Sequence, residues 1–412
     1  VITIIRNAHV LDPEAGEITG ERTVVLEDEQ IADVIEGPSA TTADLDIDAG
    51  GRFLLPGFVD GHVHHIFHTM DFARLQRMSS TERAISMGHA AEAELRRGFT
   101  TVRDTGGDTR GLANATRTGL ITGPRIVRAG RVISQTGGHG DFRAATDVEL
   151  PLCGCQLHTD RQGAGHIADG ADACRKAARF ELREGSDFIK IMSSGGVASP
   201  ADPFDAIQYT ADEIRAVTTE TDHRHTYTTS HAYTPEAIRL AADNGVRCIE
   251  HGNMIDAPTA EHIAQLGVVV VPTLVTYQAM EELGPKVGLP EVNIQKNSGV
   301  LEAGKRAIET LKAAGVELGF GTDLLGEAMP WQNREFAIRA ELEPAADVLR
   351  SMYVTNVKLC HLEGVVGRVE PGFVADLVLS EADPIERLSD LAEPDASLAA
   401  IFSRGRPVRM SL

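Results

Sequence analysis

Five times between residues 90 and 323 the chain runs an amphipathic helix into a glycine and then directly into a short apolar strand. The unit reads "AAEAELRRG" into "FTTVRD", and "RKAARFELREG" into "SDFIKIM". It returns as "EAIRLAADNG" into "VRCIEH", "AEHIAQLG" into "VVVVPTL", and "AIETLKAAG" into "VELGFGTD". The glycines at 98, 185, 245, 267 and 315 suit the left-handed position that ends a helix, where a Cβ would clash. Thr210 with Glu213 makes a capping box, and Thr234-Pro235 sets a cap before a first-turn proline. Strands that are apolar throughout and alternate with helices predict a parallel sheet covered by helices.

Further strand candidates at 53–59 and 125–133 bring the set close to the eight of a (β/α)8 TIM-like barrel. A doubly wound open sheet is the competing α/β fold, but no phosphate-binding glycine loop follows the first strand. Both ends read differently, as short alternating strands separated by turns: "VITIIRNAHVLD", "RTVVLEDEQIADVIEG", "ADLVLSEADP" and "AAIFSRGRPVRM". The economical division is a small β-sandwich domain built from residues 1–54 and 366–412, with the barrel over 55–365.

The 412 residues allow two or three domains, or one large barrel with an appendage. A formal net charge of −21 argues against nucleic acid and anionic membrane as partners. No apolar run reaches the roughly 18–20 residues of a membrane helix. The first residues carry charge and turn formers too early for a signal peptide, so the default is cytoplasmic. An exported form with its leader removed stays open, since the sequence starts without Met. Five scattered cysteines include a "CGC" at Cys153 and Cys155. A thiolate metal site normally brings a second pair, which is absent, so these read as structural.

In a barrel, chemistry gathers where strands end. "FLLPGFVDGHVHHIFHTMD" (53–71) leaves a strand with His62 and His64 two apart, on one face. Four more strand candidates deliver polar groups: Lys190 inside "DFIKIM", His231 in "HTYTTSHAY", His251 in "VRCIEHG", and Asp323 in "LGFGTD". Singly, each could be a satisfied core histidine or a helix cap. Together they make a metal site. An ammonium at Lys190 would be pushed towards its neutral form. The neutral amine can add carbon dioxide, becoming a carbamate that bridges two ions. One ion then takes His62, His64, Asp323 and one carbamate oxygen; the other takes His231, His251 and the second oxygen, and a shared hydroxide completes both.

The stretches "PGFVDGHVH", "FIKIMSSGG", "SHAY", "IEHG" and "GFGTD" resemble the metal-dependent amidohydrolase superfamily, across nearly the whole chain and including "GRVEPGFVADLVL". Within it, "GFTTVRDTGG", "RVISQTGGHGD" and "KIMSSGGVASP" resemble the zinc dipeptidases and carboxypeptidases. These comprise prolidase-like enzymes, enzymes removing C-terminal Arg or Lys, and ochratoxin-hydrolysing amidases. The resemblance places metal ligands at His62, His64, Lys190, His231, His251 and Asp323, and substrate contacts at His139 and Tyr233. It departs at "TNVKLCHLEG", where Cys360, His361 and Glu363 stand in place of small or apolar residues. The extra histidines His65 and His68 read as loop or supporting residues.

The expected reaction is hydrolysis of the amide bond before a C-terminal amino acid, in a dipeptide or N-acyl amino acid. The implied cofactors are two Zn2+ or similar ions and the Lys190 carbamate, with Asp323 as general base. Two divalent ions against the carbamate, Asp323 and hydroxide leave a site of about +1 by simple counting, suited to an anionic substrate. His139, in a glycine-rich loop whose glycines 137, 138 and 140 would let a ligand approach, and Tyr233 would receive the carbonyl and the terminal carboxylate. Asp202 or Asp205 would serve a cationic Arg or Lys side chain. Self-association into a homo-oligomer is expected as well. The alternatives are a mononuclear deaminase, an imidazolonepropionase-type cyclic amide hydrolase, or a non-catalytic scaffold of the same fold.

Overall fold

The computed structural model describes residues 1–143, 163–199, 202–287 and 291–411; Cys153 and Cys155 lie outside them. The barrel is laid down in sequence order by parallel strands. Phe58–Val63, Phe99–Asp104 and Arg125–Arg128 form one arc. Val132–Ser134, Ile189–Met192, Thr228–Ala232, Cys248–His251 and Val269–Val271 form the other, with Gly165–Ile167 on its edge. The last segment, Leu318 to Asp323, bridges its neighbours only locally. Gly319 N donates to Val270 O at 2.8 Å, and Gly61 N donates to Phe320 O at 2.7 Å, which closes the ring. This differs from the regular strand that "VELGFGTD" predicts. Both Gly319 and Gly321 lie so close to Val271 that a Cβ would approach its side chain within 2.9 Å and 2.7 Å. The segment is a wedge, and glycine is what lets it in.

The helix-ending glycines behave as their positions predict: Gly98, Gly185, Gly245, Gly267 and Gly315 all have positive φ. The Thr210–Glu213 capping box forms, and Thr234 caps the helix Pro235–Asp243 by accepting from Ala237 N. Among the described residues no helix is long and apolar enough to cross a membrane.

The termini build one eight-stranded sheet. Ile2–Asp12 is central, and Phe53–Pro56 links it to Leu377–Ser380, Leu398–Ser403 and Arg406–Met410. Leu11, Leu55, Val378 and Ile401 of this sheet share a buried core with Phe58, Phe99 and Phe336 of the barrel. The Phe58 ring meets Phe99 at 5.4 Å and Phe336 at 5.1 Å, both edge-on, which is the favoured aromatic geometry. That apolar plug seals the N-terminal end of the barrel, so the polar strand ends all face the opposite mouth.

Candidate metal centre

The strand Phe58–Val63 is buried throughout, and its alternation brings His62 and His64 to the same side. Their Nε2 atoms are 3.3 Å apart. Asp323 Oδ1 stands 3.4 Å from the first and 3.5 Å from the second. These separations match the edge of a tetrahedron, roughly 3.3 Å when ligand bonds are about 2.0–2.1 Å. His64 Nδ1 lies 3.0 Å from the Gly106 carbonyl, which can only accept, so Nδ1 carries the proton and Nε2 its lone pair. Burial pushes the His64 imidazolium down to about 4, leaving a neutral ring, the form a metal requires.

Across the cleft the His231 and His251 rings sit 4.6 Å apart, with His251 5.0 Å from the His62 ring. His231 donates from Nε2 to the Gly195 carbonyl at 3.0 Å, which leaves the lone pair on Nδ1. His251 Nδ1 is 2.9 Å from Thr273 Oγ1. Burial holds both imidazoles well below their ordinary range, hence neutral. Ligand atoms of His62, His251 and Asp323 fall within 4.8 Å of one another. His251 and Asp323 both have left-handed backbones, φ 76° and 50°. Non-glycine residues adopt that conformation at a cost of order 1–3 kcal/mol, and such strain concentrates at functional sites.

Lys190 lies in the strand Ile189–Met192, paired with Thr229 of the next strand. It is buried, and burial pushes its ammonium below the usual lysine range against the pull of Glu250 and Asp323. Among the described residues no carboxylate makes an ion pair with it, so a structural partnership with a buried acid does not account for it. Lys190, His64, His231, His251 and Asp323 line one cleft, and His62 lies beneath them with no exposed surface.

His139 and Tyr233 reach the same cleft. The His139 ring stacks on His231 at 4.3 Å, and the Tyr233 ring on His251 at 5.3 Å. Three sequence expectations need correction. A Cβ on Gly138 would meet Gln208 and Ser134 at 2.7 Å, and one on Gly140 would meet Val132 at 2.7 Å. Those two glycines therefore make room for the protein's own side chains. Gly137, at φ 69°, has no atom within 4 Å of where its Cβ would be and serves the turn. Asp202 is buried and already accepts from Gly196 N at 3.0 Å and Gln208 Nε2 at 3.2 Å, with His139 Nδ1 3.4 Å away. It braces the loop around His139, while Asp205 is exposed and outside the cleft lining. Among the extra histidines, His65 is clamped 2.9 Å from both Glu94 and Asp104, which outweigh burial and push it up to about 10. His68 is half-buried, and Cys360 is buried while His361 and Glu363 are exposed.

A family model described as the amidohydrolase family matches residues 53–408. The chain belongs to that family. It is a metal-dependent amidohydrolase acting on C–N bonds. A solved prolidase in complex with N-methylphosphonate-L-proline is 39% identical, with a TM-score of 0.94 and full coverage of both chains (100% and 100%). A Xaa-Pro dipeptidase with methionine bound in its active site is 27% identical, with a TM-score of 0.88 and 99% of each chain covered. The ochratoxinase of Aspergillus niger is 26% identical over 352 residues, 83% of this chain and 73% of that protein.

Sequence reasoning missed the residues of this amidohydrolase that support the cleft from below. Arg103 and Glu250 are both fully buried and joined at 2.9 Å, and Glu250 reaches His62 Nδ1 at 2.7 Å. Asp60 accepts from Gln332 Nε2 at 2.9 Å, from the Thr322 hydroxyl and from His62 N; burial still pushes its carboxyl up to about 7. Tyr277 meets Tyr233 hydroxyl to hydroxyl. A signal did exist for the first pair. Like Lys190, Arg103 in "TTVRD" and Glu250 in "CIEH" are charges set inside apolar strands.

Proposed function

We propose that the chain hydrolyses the amide bond preceding a C-terminal amino acid in dipeptides or N-acyl amino acids. The observation that supports this best is the convergence of His139 and Tyr233 on the cleft that holds the histidine–aspartate cluster. The similarity to a prolidase and a Xaa-Pro dipeptidase points the same way. In this reading His62, His64 and Asp323 would hold one divalent ion, His231 and His251 a second, and a carboxylated Lys190 would serve as a ligand to both. Bound ions supply a Lewis acid for the carbonyl and lower the pKa of water. Asp323 Oδ1 stands 3.4 Å from His62 Nε2 and 3.5 Å from His64 Nε2. It accepts the proton of the attacking water and returns it to the leaving amine. Tyr233 donates to the terminal carboxylate, and His139 to the carbonyl.

Apolar groups dominate the rest of the cleft, including Phe67, Phe142, Met192, Val197, Met280 and Leu325, and Asp323 is the only carboxylate among the described lining residues. Such walls suit Xaa-Pro and N-acyl-Phe substrates and offer a cationic Arg or Lys side chain no counter-charge. The decisive experiment is a panel of Xaa-Pro, Xaa-Arg, Xaa-Lys and N-acyl-Phe compounds with the zinc-loaded enzyme, each also as its C-terminal amide. Equal turnover of free acids and amides would remove carboxylate recognition from the proposal. Anomalous scattering from crystals tests the ion pair: a single ion beside an unmodified Lys190 would overturn the binuclear reading. A homo-oligomer is part of the proposal, and a monomer mass by light scattering would remove it.

A further inference from the structure

Beneath the cleft lies a line of charge that touches no solvent. The Arg103 guanidinium stacks 4.4 Å over the Phe188 ring and donates from Nε to the Tyr227 hydroxyl at 2.9 Å. Its Nη1 donates both to Glu250 Oε1 at 2.9 Å and to the Gly61 carbonyl, next to His62, at 2.7 Å. Glu250 Oε1 also accepts from the Thr229 hydroxyl, while its Oε2 faces His62 Nδ1 at 2.7 Å. Arg103, Glu250 and His62 each have no exposed surface.

We infer that Arg103 and Glu250 act as positioning residues, fixing His62 as the tautomer that carries its proton on Nδ1 and turns the Nε2 lone pair into the cleft. The inference rests on the reading of His62 as a metal ligand. The chemistry is that of acceptor-only and donor-only groups. Arginine cannot lose its proton, and its pairing keeps Glu250 a carboxylate, which can only accept. The atom opposite Oε2 must therefore be an N–H, and imidazole has one other nitrogen to give. The carboxylate also makes that nitrogen more basic, and the Arg103–Gly61 bond fixes the backbone from which His62 projects. A buried pair of this kind is weak evidence for stability as such, because desolvation offsets much of its attraction; positioning is the use that its geometry fits.

The Glu250→Gln variant tests this. An amide has one oxygen for three claimants: Arg103 Nη1, the Thr229 hydroxyl and His62 Nδ1–H. If the amide nitrogen turns to His62, the ring must accept there and present N–H to the metal. Zinc affinity of the chelator-stripped protein, measured by competition with a chromophoric chelator, is expected to fall about 10- to 100-fold. Should Glu250→Gln not fold, the zinc-loaded wild type labelled with 15N-histidine still decides: the His62 resonances must show a protonated Nδ1 and a metal-bound Nε2. Wild-type zinc affinity in Glu250→Gln, or a metal-bound Nδ1, would overturn the positioning role alone. A wild-type protein that binds no divalent ion would overturn it together with the functional reading.

Discussion

The hydroxyl oxygens of Tyr233 and Tyr277 lie 2.9 Å apart, although 44 residues separate them in the chain. Tyr277 also stands 3.2 Å from His251 Nδ1 and 3.3 Å from Asn253 Oδ1, so its hydroxyl is held from three sides. Burial pushes both phenols above the ordinary tyrosine range, which keeps them as donors at neutral pH. Tyr277→Phe leaves the ring packing and removes the group that aims Tyr233. KM for substrates with a free C-terminal carboxylate should rise about 3- to 10-fold, the worth of one ordinary hydrogen bond. Steady-state kinetics on paired free-acid and amide substrates measure it, and an equal effect on both would show that Tyr233 does not read the carboxylate.

The repeating helix–glycine–strand unit made the barrel legible because each glycine marks a helix end by a backbone requirement that no tertiary contact overrides. The strand-end residues were legible because charged or ligating side chains inside apolar runs need a reason. Tyr277 was not, since it sits in a helix, Leu274–Val287, among residues that read as ordinary core. The roles of Asp202 and of glycines 138 and 140 were misassigned for a related reason. Asp202 is set by His139 and Gly138 by Gln208, both distant in sequence, and Gly140 by Val132 across a folded turn of the same loop. Composition and spacing carry no trace of such pairings.

Lys190 offers a separate test of the bridging carbamate. Lys190→Met keeps the length and apolar character of the buried side chain, so the fold should survive. Metal content by elemental analysis should fall below that of wild type, and kcat/KM should drop by at least about 100-fold, since even residues behind the ligands are worth 10- to 100-fold. Full activity and full metal content in this variant would leave Lys190 a structural residue.

Asp202 distinguishes bracing from substrate recognition. Its Oδ2 is buried between Gly196 N, Gln208 and His139, the arrangement of a brace. Asp202→Asn should lower kcat/KM about 3- to 10-fold for all C-terminal residues alike by loosening His139, with metal content unchanged. Were Asp202 instead the acceptor for a cationic side chain, Xaa-Arg and Xaa-Lys turnover would fall selectively.

Glu335 sets a pH dependence of stability remote from the ligand cluster. It has no exposed surface and caps the start of the helix Leu274–Val287, accepting from Val275 N at 2.7 Å. Burial pushes its carboxyl up to about 8, only partly opposed by Arg339 and the backbone donors. The folded protein therefore keeps the proton over a range where the unfolded chain, with an ordinary value of 4.5, has lost it. Because the folded state binds more protons between those values, stability falls as pH rises from about 4.5 to about 8. Glu335→Gln removes this term while preserving shape and an acceptor for Val275. Its melting temperature should lie close to wild type near pH 4.5 and a few degrees above it at pH 8.5, the gap opening steadily in between. Differential scanning calorimetry of the two proteins across that range measures it, and taking the difference cancels the general repulsion of a chain with a net charge of −21. A gap that stays constant with pH would show that Glu335 ionises in the folded protein as freely as in the unfolded one.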